Sequence, residues 1–204
     1  MARYLMTHSL LSSWLYAMKS NPYEDMTTER DPADEFLQVL RRQPTTTTEA
    51  MANGIEFEDL VTQIAVGDDV DTDHKWYLAA AKTAHKVRGG VIQYKAKKEI
   101  QVSGIDVLLY GRIDFLKAGV VIDTKFSKSY ERGKYIDSTQ HPTYLELIPE
   151  ANSFMYVISN GTEVWTETYR RDETPPIEPI IADFFRWLID NGLMDVYKEH
   201  WLSA

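Results

Sequence analysis

The chain has 204 residues, 44% of them hydrophobic, which is typical of one globular domain and excludes a disordered segment. Its 31 acidic and 22 basic residues give a net charge of −9, which argues against a protein that coats nucleic acid by general electrostatic attraction. No apolar run approaches about 18 residues and no cysteine is present, which excludes a membrane span and a disulfide framework and suits a reducing cytoplasm.

The first half of the chain is predicted to be helical. Apolar residues at helical spacing predict helices at 10–19, 33–42, 54–66 and about 72–87. Thr7 or Ser9 is the expected cap of the first helix, and Gly89-Gly90 is expected to end the fourth. The stretch 21–31 is a polar connector, and Pro44 followed by four threonines predicts a loop.

Strands dominate the part of the chain that follows. They are predicted at 91–94, 99–102, 107–115, 120–124, 154–159 and 164–169. A helix is expected to begin near Ser138-Thr139, and closing helices at 180–202 are interrupted at Asn191-Gly192. The expected fold is therefore an α/β domain in which helices flank a mixed central sheet. Residues 1–50 would be a helical extension, 51–170 the core and 180–202 the closing helices.

A predicted hairpin brings two carboxylates together. Its strands carry Asp114 and Asp123, and they are separated by Lys117-Ala118-Gly119. If the loop is even-numbered and centred between Ala118 and Gly119, residues whose numbers sum to 237 face each other, so that Asp114 lies opposite Asp123 and Arg112 opposite Lys125. An odd-numbered loop would make the two aspartates diagonal neighbours.

Two facing carboxylates repel each other, and a divalent cation would convert that repulsion into attraction. Hard oxygen ligands suit Mg²⁺ or Mn²⁺, and the carbonyl oxygen of Thr124 is a possible third ligand. Lys125 could orient a metal-bound water or stabilise charge on phosphate oxygens. A surface hairpin with an ordinary Asp–Lys pair is the alternative interpretation, but the preceding Gly111-Arg112-Ile113 and the apolar run 120–122 favour a site.

Taken in order, Gly111-Arg-Ile-Asp114, Ile122-Asp-Thr-Lys125 and Gln140-x-x-x-Tyr144 resemble the motifs of the PD-(D/E)xK nuclease superfamily. The closest similarity is to its RecB-like and phage-type exonuclease branch, whose upstream Gly-x-x-x-Glu motif is matched by Gly54 to Glu58. The resemblance covers about residues 50–170 and implies a restriction-endonuclease-like core. It also implies that Asp114, Asp123 and Glu58 serve a metal site and that Lys125 is the catalytic lysine. Members with an iron–sulfur cluster need four cysteines, so that cluster is excluded.

Two regions are candidates for DNA binding. The resemblance implies that Gln140 and Tyr144 lie on a helix that lines the site and contacts DNA, although Tyr144 could instead be a half-buried core residue. The segment 126–135 is basic and contains interleaved tyrosines, so it could follow a phosphate backbone; its cations are Lys128, Arg132 and Lys134. A solvated loop is the alternative interpretation of this segment.

The leading functional hypothesis is a metal-dependent DNA nuclease, and the family branch favours an exonuclease for phage-type recombination or end processing. The resemblance further implies a single-strand annealing protein as partner, and the acidic net charge suggests an oligomer that concentrates basic surfaces. One alternative is a catalytically inert domain of the same fold that binds DNA or protein. Another is a metal-dependent hydrolase of nucleotides or RNA.

Overall fold

The computed structural model describes residues 3–19 and 31–203, in which a mixed sheet carries helices on both faces. The strands are β1 (Arg3–Met6), β2 (Val91–Val102), β3 (Ile105–Lys117), β4 (Val120–Phe126), β5 (Ser153–Ser159), β6 (Val164–Arg170) and β7 (Leu202–Ser203). The helices are α1 (His8–Lys19), α2 (Pro32–Leu40), α3 (Glu49–Val66), α4 (Tyr77–Val87), α5 (Gln140–Leu147), α6 (Glu178–Asp190) and α7 (Met194–His200). A 3₁₀ turn lies at Arg171–Glu173. Within the described ranges, no helix has both the length and the apolar character needed to cross a bilayer.

The sheet has seven strands in the order β6-β5-β4-β3-β1-β7, with β2 paired to β3 outside this path. The β1–β3 and β4–β5 pairs are parallel, and the other pairs are antiparallel. The predicted α/β class, with a mixed sheet flanked by helices, is confirmed. The N-terminal region is more than a helical extension, because β1 pairs with the central strand β3. A strand of four residues is too short to show a reliable alternating pattern.

Each face of the sheet covers its own apolar core. The larger core packs α1, α2, α5, α6 and α7 against one face, with Leu10, Trp14 and Phe184 among its buried residues. The smaller core packs α3 and α4 against the other face. Val121 belongs to the larger core and Ile122 to the smaller one, so β4 is buried on both faces. This explains the continuous apolar run that precedes Asp123.

Most predicted boundaries agree with the structure, and three findings need comment. Thr7 caps α1, because its Oγ1 accepts a hydrogen bond from the backbone nitrogen of Leu10 at 3.2 Å. Helix α4 begins at Tyr77 rather than near residue 72, after a turn in which Asp71 accepts from the nitrogen of Asp73. Strand β2 is continuous across its lysine-rich centre because pairing with β3 holds it extended. The predicted connector 21–31 lies outside the described residues except for Asp31, which caps α2.

The β3–β4 hairpin has the predicted register near its turn. Phe115 pairs with Ile122, Leu116 with Val121 and Lys117 with Val120, so the partners sum to 237. The loop is a two-residue turn in which Ala118 has a φ of 49° and Gly119 a φ of 76°. Both values lie in the left-handed region that a type I′ turn requires.

Ala118 is exposed and pays a steric cost in this conformation, which asparagine tolerates better. We expect Ala118→Asn to raise the free energy of unfolding by about 0.5–1 kcal/mol, measured by urea denaturation. Ala118→Val, which places a β-branched residue at the same positive φ, should lower it. Equal effects of the two substitutions would contradict this turn geometry.

Candidate active site

The site lies where two strands diverge from one edge of β3. Strand β2 occupies the other edge along almost its whole length, so β1 and β4 must share this edge. Strand β1 pairs with Val107–Leu109 and β4 with Phe115–Lys117. The segment 110–114 between them is left without a strand partner at this edge. We call this arrangement the fork, and it opens into a cleft of about 350 Å³.

The helix α5 closes one side of the fork. The hydroxyl of Tyr144 donates a hydrogen bond to the carbonyl oxygen of Arg112 at 2.9 Å and so satisfies a backbone acceptor that no strand reaches. Gly111 makes this contact possible, because a Cβ at that position would lie 2.5 Å from Cε1 of Tyr144. The glycine of the Gly-Arg-Ile-Asp motif therefore has a packing role.

Most of the residues predicted for the site line this cleft. They come from four separate elements, namely α3, β3, β4 and α5, and they are Glu58, Asp114, Asp123, Thr124, Lys125, Gln140 and Tyr144. The start of α1 adds Thr7, His8 and Ser9, and β3 adds Tyr110, Gly111 and Arg112. The fold thus brings together residues separated by more than one hundred positions in the sequence.

Each carboxylate has a defined polar partner. Asp114 accepts a hydrogen bond from the backbone nitrogen of Thr124 at 3.2 Å. Asp123 accepts from the side-chain amide of Gln140 and lies 2.8 Å from the ammonium of Lys125. The third acid, Glu58, is described with its partner below. The two aspartates are thereby fixed to neighbouring elements and cannot rotate away from the cleft without losing these bonds.

Glu58 is held by a residue in an unusual conformation. Its carboxylate accepts a hydrogen bond from Nε2 of Gln93 at 2.8 Å. Gln93 has a φ of 54°, in the left-handed region that costs a non-glycine residue energy. It would be the β2 partner of Asp114, but the pairing between the two strands is interrupted at this position. The strained residue therefore lies directly beside the acid cluster.

The same interruption corrects the simple hairpin prediction. The β3–β4 pairing ends at Phe115 and Ile122, so the ladder does not extend to Asp114 and Asp123. Ile113 packs into the larger core and Phe115 into the smaller one, although strict alternation would place them on the same face. The strand therefore changes face at Asp114, and its carboxylate reaches the backbone of β4 instead of facing Asp123 across a regular ladder.

The electrostatics of the cleft reflect crowded acids. Burial raises the pKa of Asp114, and the charges of Asp123 and Glu58 raise it further. Burial and the charge of Asp123 also raise the pKa of Glu58. Burial alone would lower the pKa of Lys125, but Asp123 and Asp114 outweigh it and the net pKa is raised, so the ammonium stays protonated.

His8 is the additional titratable group in the cleft. Burial, followed by the nearby charge of Lys125, lowers its pKa to about 4, so its imidazole is neutral at pH 7. Its ring packs edge-on against Tyr144, with the ring centres 5.2 Å apart. A neutral imidazole beside Lys125 adds no charge repulsion to the lysine, and it can donate or accept a hydrogen bond.

The donor set of the cleft suits a hard divalent cation. Carboxylate oxygens and a backbone carbonyl are the ligands that Mg²⁺ and Mn²⁺ prefer, and a cation would relieve the repulsion that raises the pKa of Asp114. The hydroxyl of Thr124 is also buried without a hydrogen-bond partner among the described residues. In residues 3–19 and 31–203, no three His, Cys, Asp or Glu side chains lie close enough to form a ready-made metal cluster. The residues fit a site completed by a backbone oxygen and water.

The two α5 residues are placed as supports. Gln140 is 4% exposed and its amide is bonded to Asp123, so it positions that carboxylate. Tyr144 is 3% exposed and bonded to β3. Their side chains line the inner wall of the cleft. A direct contact with DNA by either residue remains a prediction.

The basic loop 126–135 does not line the cleft, but it is well anchored beside it. Lys134 donates to Oγ of Ser127 at 2.7 Å and therefore holds the loop together. Tyr130 donates to Glu167 of β6 at 2.7 Å, and Tyr135 stacks on Tyr156 with ring centres 4.5 Å apart. Lys128 and Arg132 are exposed. Their contact with DNA stays a prediction.

Sequence reasoning missed two residues that shape the cleft, His8 and Gln93. His8 could have been found only by recognising that β1 delivers the start of α1 to the fork. No sequence signal identifies Gln93, because glutamine is not typical of left-handed backbone.

Comparison with known proteins supports the fold. No protein-family model matches the chain, and no curated protein matches it. A solved structure described as "Crystal structure of SSO0001" matches with a TM-score of 0.54 and 15% sequence identity, over 93% of this chain and 77% of that one. At this identity the similarity shows a shared fold.

Proposed function

We propose that the protein is a divalent-metal-dependent DNA nuclease of the PD-(D/E)xK type. The observation that carries this proposal is the convergence of Glu58, Asp114, Asp123 and Lys125 on one cleft. Folding alone gives little reason to bury mutually repelling acids together, and perturbed titratable groups in a cleft are typical of active sites. The similarity to the RecB-like and phage-type exonuclease branch favours attack at DNA ends.

The residues have distinct roles under this proposal. Asp114, Asp123, Glu58 and the carbonyl oxygen of Thr124 would hold Mg²⁺ or Mn²⁺, which when bound lowers the pKa of a water ligand and polarises the scissile phosphate. Lys125 is protonated and points to the same carboxylate, so it can stabilise negative charge that develops on the phosphate oxygens. Gln140 keeps Asp123 in place through its amide.

The setting in which the enzyme would act follows from the same proposal. Its substrate would be DNA, and its expected partner is a single-strand annealing protein in the cytoplasm. Association of several copies would bring basic surfaces together in a chain of net charge −9.

Cleavage of end-labelled linear and closed circular duplex DNA tests the proposal, with Mg²⁺, Mn²⁺ or EDTA present. We expect linear DNA to be degraded only with metal, and Lys125→Met to be at least about one hundredfold slower because it keeps the side chain's length but loses its charge. Lys128→Met removes an exposed lysine nearby and should stay within a few fold of wild type.

The pattern of products distinguishes the remaining hypotheses. Cutting of the circle would identify an endonuclease. Cleavage of RNA or nucleotides but not DNA would favour the hydrolase alternative. Metal-independent cleavage, or full activity of Lys125→Met, would contradict the proposed mechanism. Binding of DNA without cleavage of any substrate would show an inert module.

A further inference from the structure

One face of the hairpin formed by β2 and β3 carries cations that the described part of the fold does not use. Ala96 and Val102 of β2 point into the larger core, so Lys95 and Lys97 point to the opposite face. On β3, Leu109 and Ile113 are in the same core, which places Tyr110 and Arg112 on that opposite face as well. Lys95 pairs across the strands with Arg112, and Lys97 pairs with Tyr110. We call Lys95, Lys97 and Arg112 the basic strip.

The basic strip lies beyond the helices that cover this side of the sheet. The core under α3 and α4 includes Phe115 and, at its border, Ile92, but no residue of β2 or β3 on the strip's side of Asp114. All three side chains of the strip are exposed, and none forms an ion pair with another described residue. Lys98, which faces the covered side, pairs with Glu146 of α5. The lysine on the covered face thus has a carboxylate partner, whereas those on the open face do not.

The strip is continuous with the cleft. Arg112 and Tyr110 line the cleft themselves. Lys95 lies two residues after Gln93, whose amide holds Glu58. A chain lying along the strip would therefore pass directly into the acid cluster through the open side of the fork.

We propose that the basic strip binds the phosphate backbone of the DNA that enters the cleft, an inference that rests on the proposed nuclease function. Lys95 and Lys97 are spaced by about 6.8 Å along the strand, and Arg112 lies about 5 Å across from Lys95. Arginine can bind a phosphate with two parallel hydrogen bonds, and lysine contributes a mobile point charge. The strip concentrates positive charge beside the site of an otherwise acidic protein.

The competing explanation is that these lysines only protect an edge strand. Strand β2 pairs with β3 alone, so one of its edges is open, and lysines on edge strands hinder pairing with other molecules. This role would require no nucleic acid. The two explanations differ in what removal of the charges does to DNA affinity and to its salt dependence.

The test compares Lys95→Ala/Lys97→Ala with Lys82→Ala/Lys86→Ala, which removes two exposed lysines from α4, outside the cleft. Binding of fluorescent duplex DNA is measured in EDTA, which prevents cleavage, over a series of salt concentrations. We expect the strip variant to bind roughly tenfold more weakly at moderate salt. The slope of log affinity against log salt should become shallower by about 1.4–1.8, the value for two lost phosphate contacts. The α4 variant should stay within about twofold of wild type, with an unchanged slope.

Equal effects of the two variants, or an unchanged slope in the strip variant, would overturn the inference. Aggregation of the strip variant in size-exclusion chromatography, with unchanged DNA affinity of its monomer, would show that the lysines serve as edge protection. Wild-type protein that cleaves DNA while the strip variant binds like wild type would refute only the strip. Wild-type protein that neither binds nor cleaves DNA would refute the proposed function.

Discussion

Replacing Asp114 with asparagine is expected to abolish DNA cleavage and to stabilise the metal-free protein. The substitution removes a proposed metal ligand, and we expect activity to fall by at least about one thousandfold. It keeps an oxygen that can accept the hydrogen bond from the nitrogen of Thr124. It also removes a buried charge that Asp123 and Glu58 disfavour. Loss of activity should therefore come with a gain in stability.

The sign of the pH dependence follows from the direction of the shift. Burial and the neighbouring acids raise the pKa of Asp114 from 3.8 to about 9, so the folded state retains a proton that the unfolded chain releases above about pH 4. Stability from this group is fully present below pH 3.8 and is lost as the pH rises towards 9. Asparagine does not titrate, so the advantage of Asp114→Asn should grow with pH.

Urea denaturation in EDTA at pH 5 and pH 8 measures this effect. We expect the variant to exceed wild type by roughly 1–3 kcal/mol at pH 8 and by less at pH 5. Asp106→Asn, at the other end of the same strand, is the control and should change neither activity nor the pH dependence. An unfolded Asp114→Asn protein would assign Asp114 a structural role, and near-normal cleavage would remove it from the mechanism.

Gly111→Ala should be among the most destabilising single-methyl changes in the protein. The added Cβ would lie 2.5 Å from Cε1 of Tyr144 and 2.9 Å from Cδ1 of Leu147, both buried on α5. Relief requires α5 to move away from the fork, which would also break the bond between Tyr144 and the carbonyl oxygen of Arg112. We expect a loss of about 1–3 kcal/mol in the free energy of unfolding, together with reduced activity.

A matched glycine makes this prediction sharp. Gly54 lies within α3, and a Cβ there would meet no atom within 4 Å. Gly54→Ala should therefore stabilise the protein by about 0.5–1 kcal/mol through better helix propensity. Adding Tyr144→Leu to Gly111→Ala should cost less than the sum of the single changes, because the ring that causes the clash is gone. Similar behaviour of the two glycine variants would contradict the close packing of α5 on β3.

The sequence predicted the parts of the site that local patterns encode. The hairpin register follows from a two-residue loop between two apolar strands, and it places Asp114 and Asp123 near each other. The helical spacing around Glu58 correctly predicted α3. The fork could not be predicted, because it depends on the pairing of Tyr4 with Val107, which are far apart in sequence. Left-handed Gln93 and the change of face at Asp114 also arise from tertiary packing rather than from residue preference.

The fork also determines when, during folding, the cleft can exist. One wall is built from the first residues of the described chain and the other from β4 and α5, so both must dock on β3 before the acids are enclosed. Contacts between distant segments require closure of a long loop and therefore form slowly. A nascent chain would contain a folded β3–β4 hairpin well before it contained a complete cleft. Catalytic competence would thus be acquired late, which protects a cell's own DNA from partially folded nuclease.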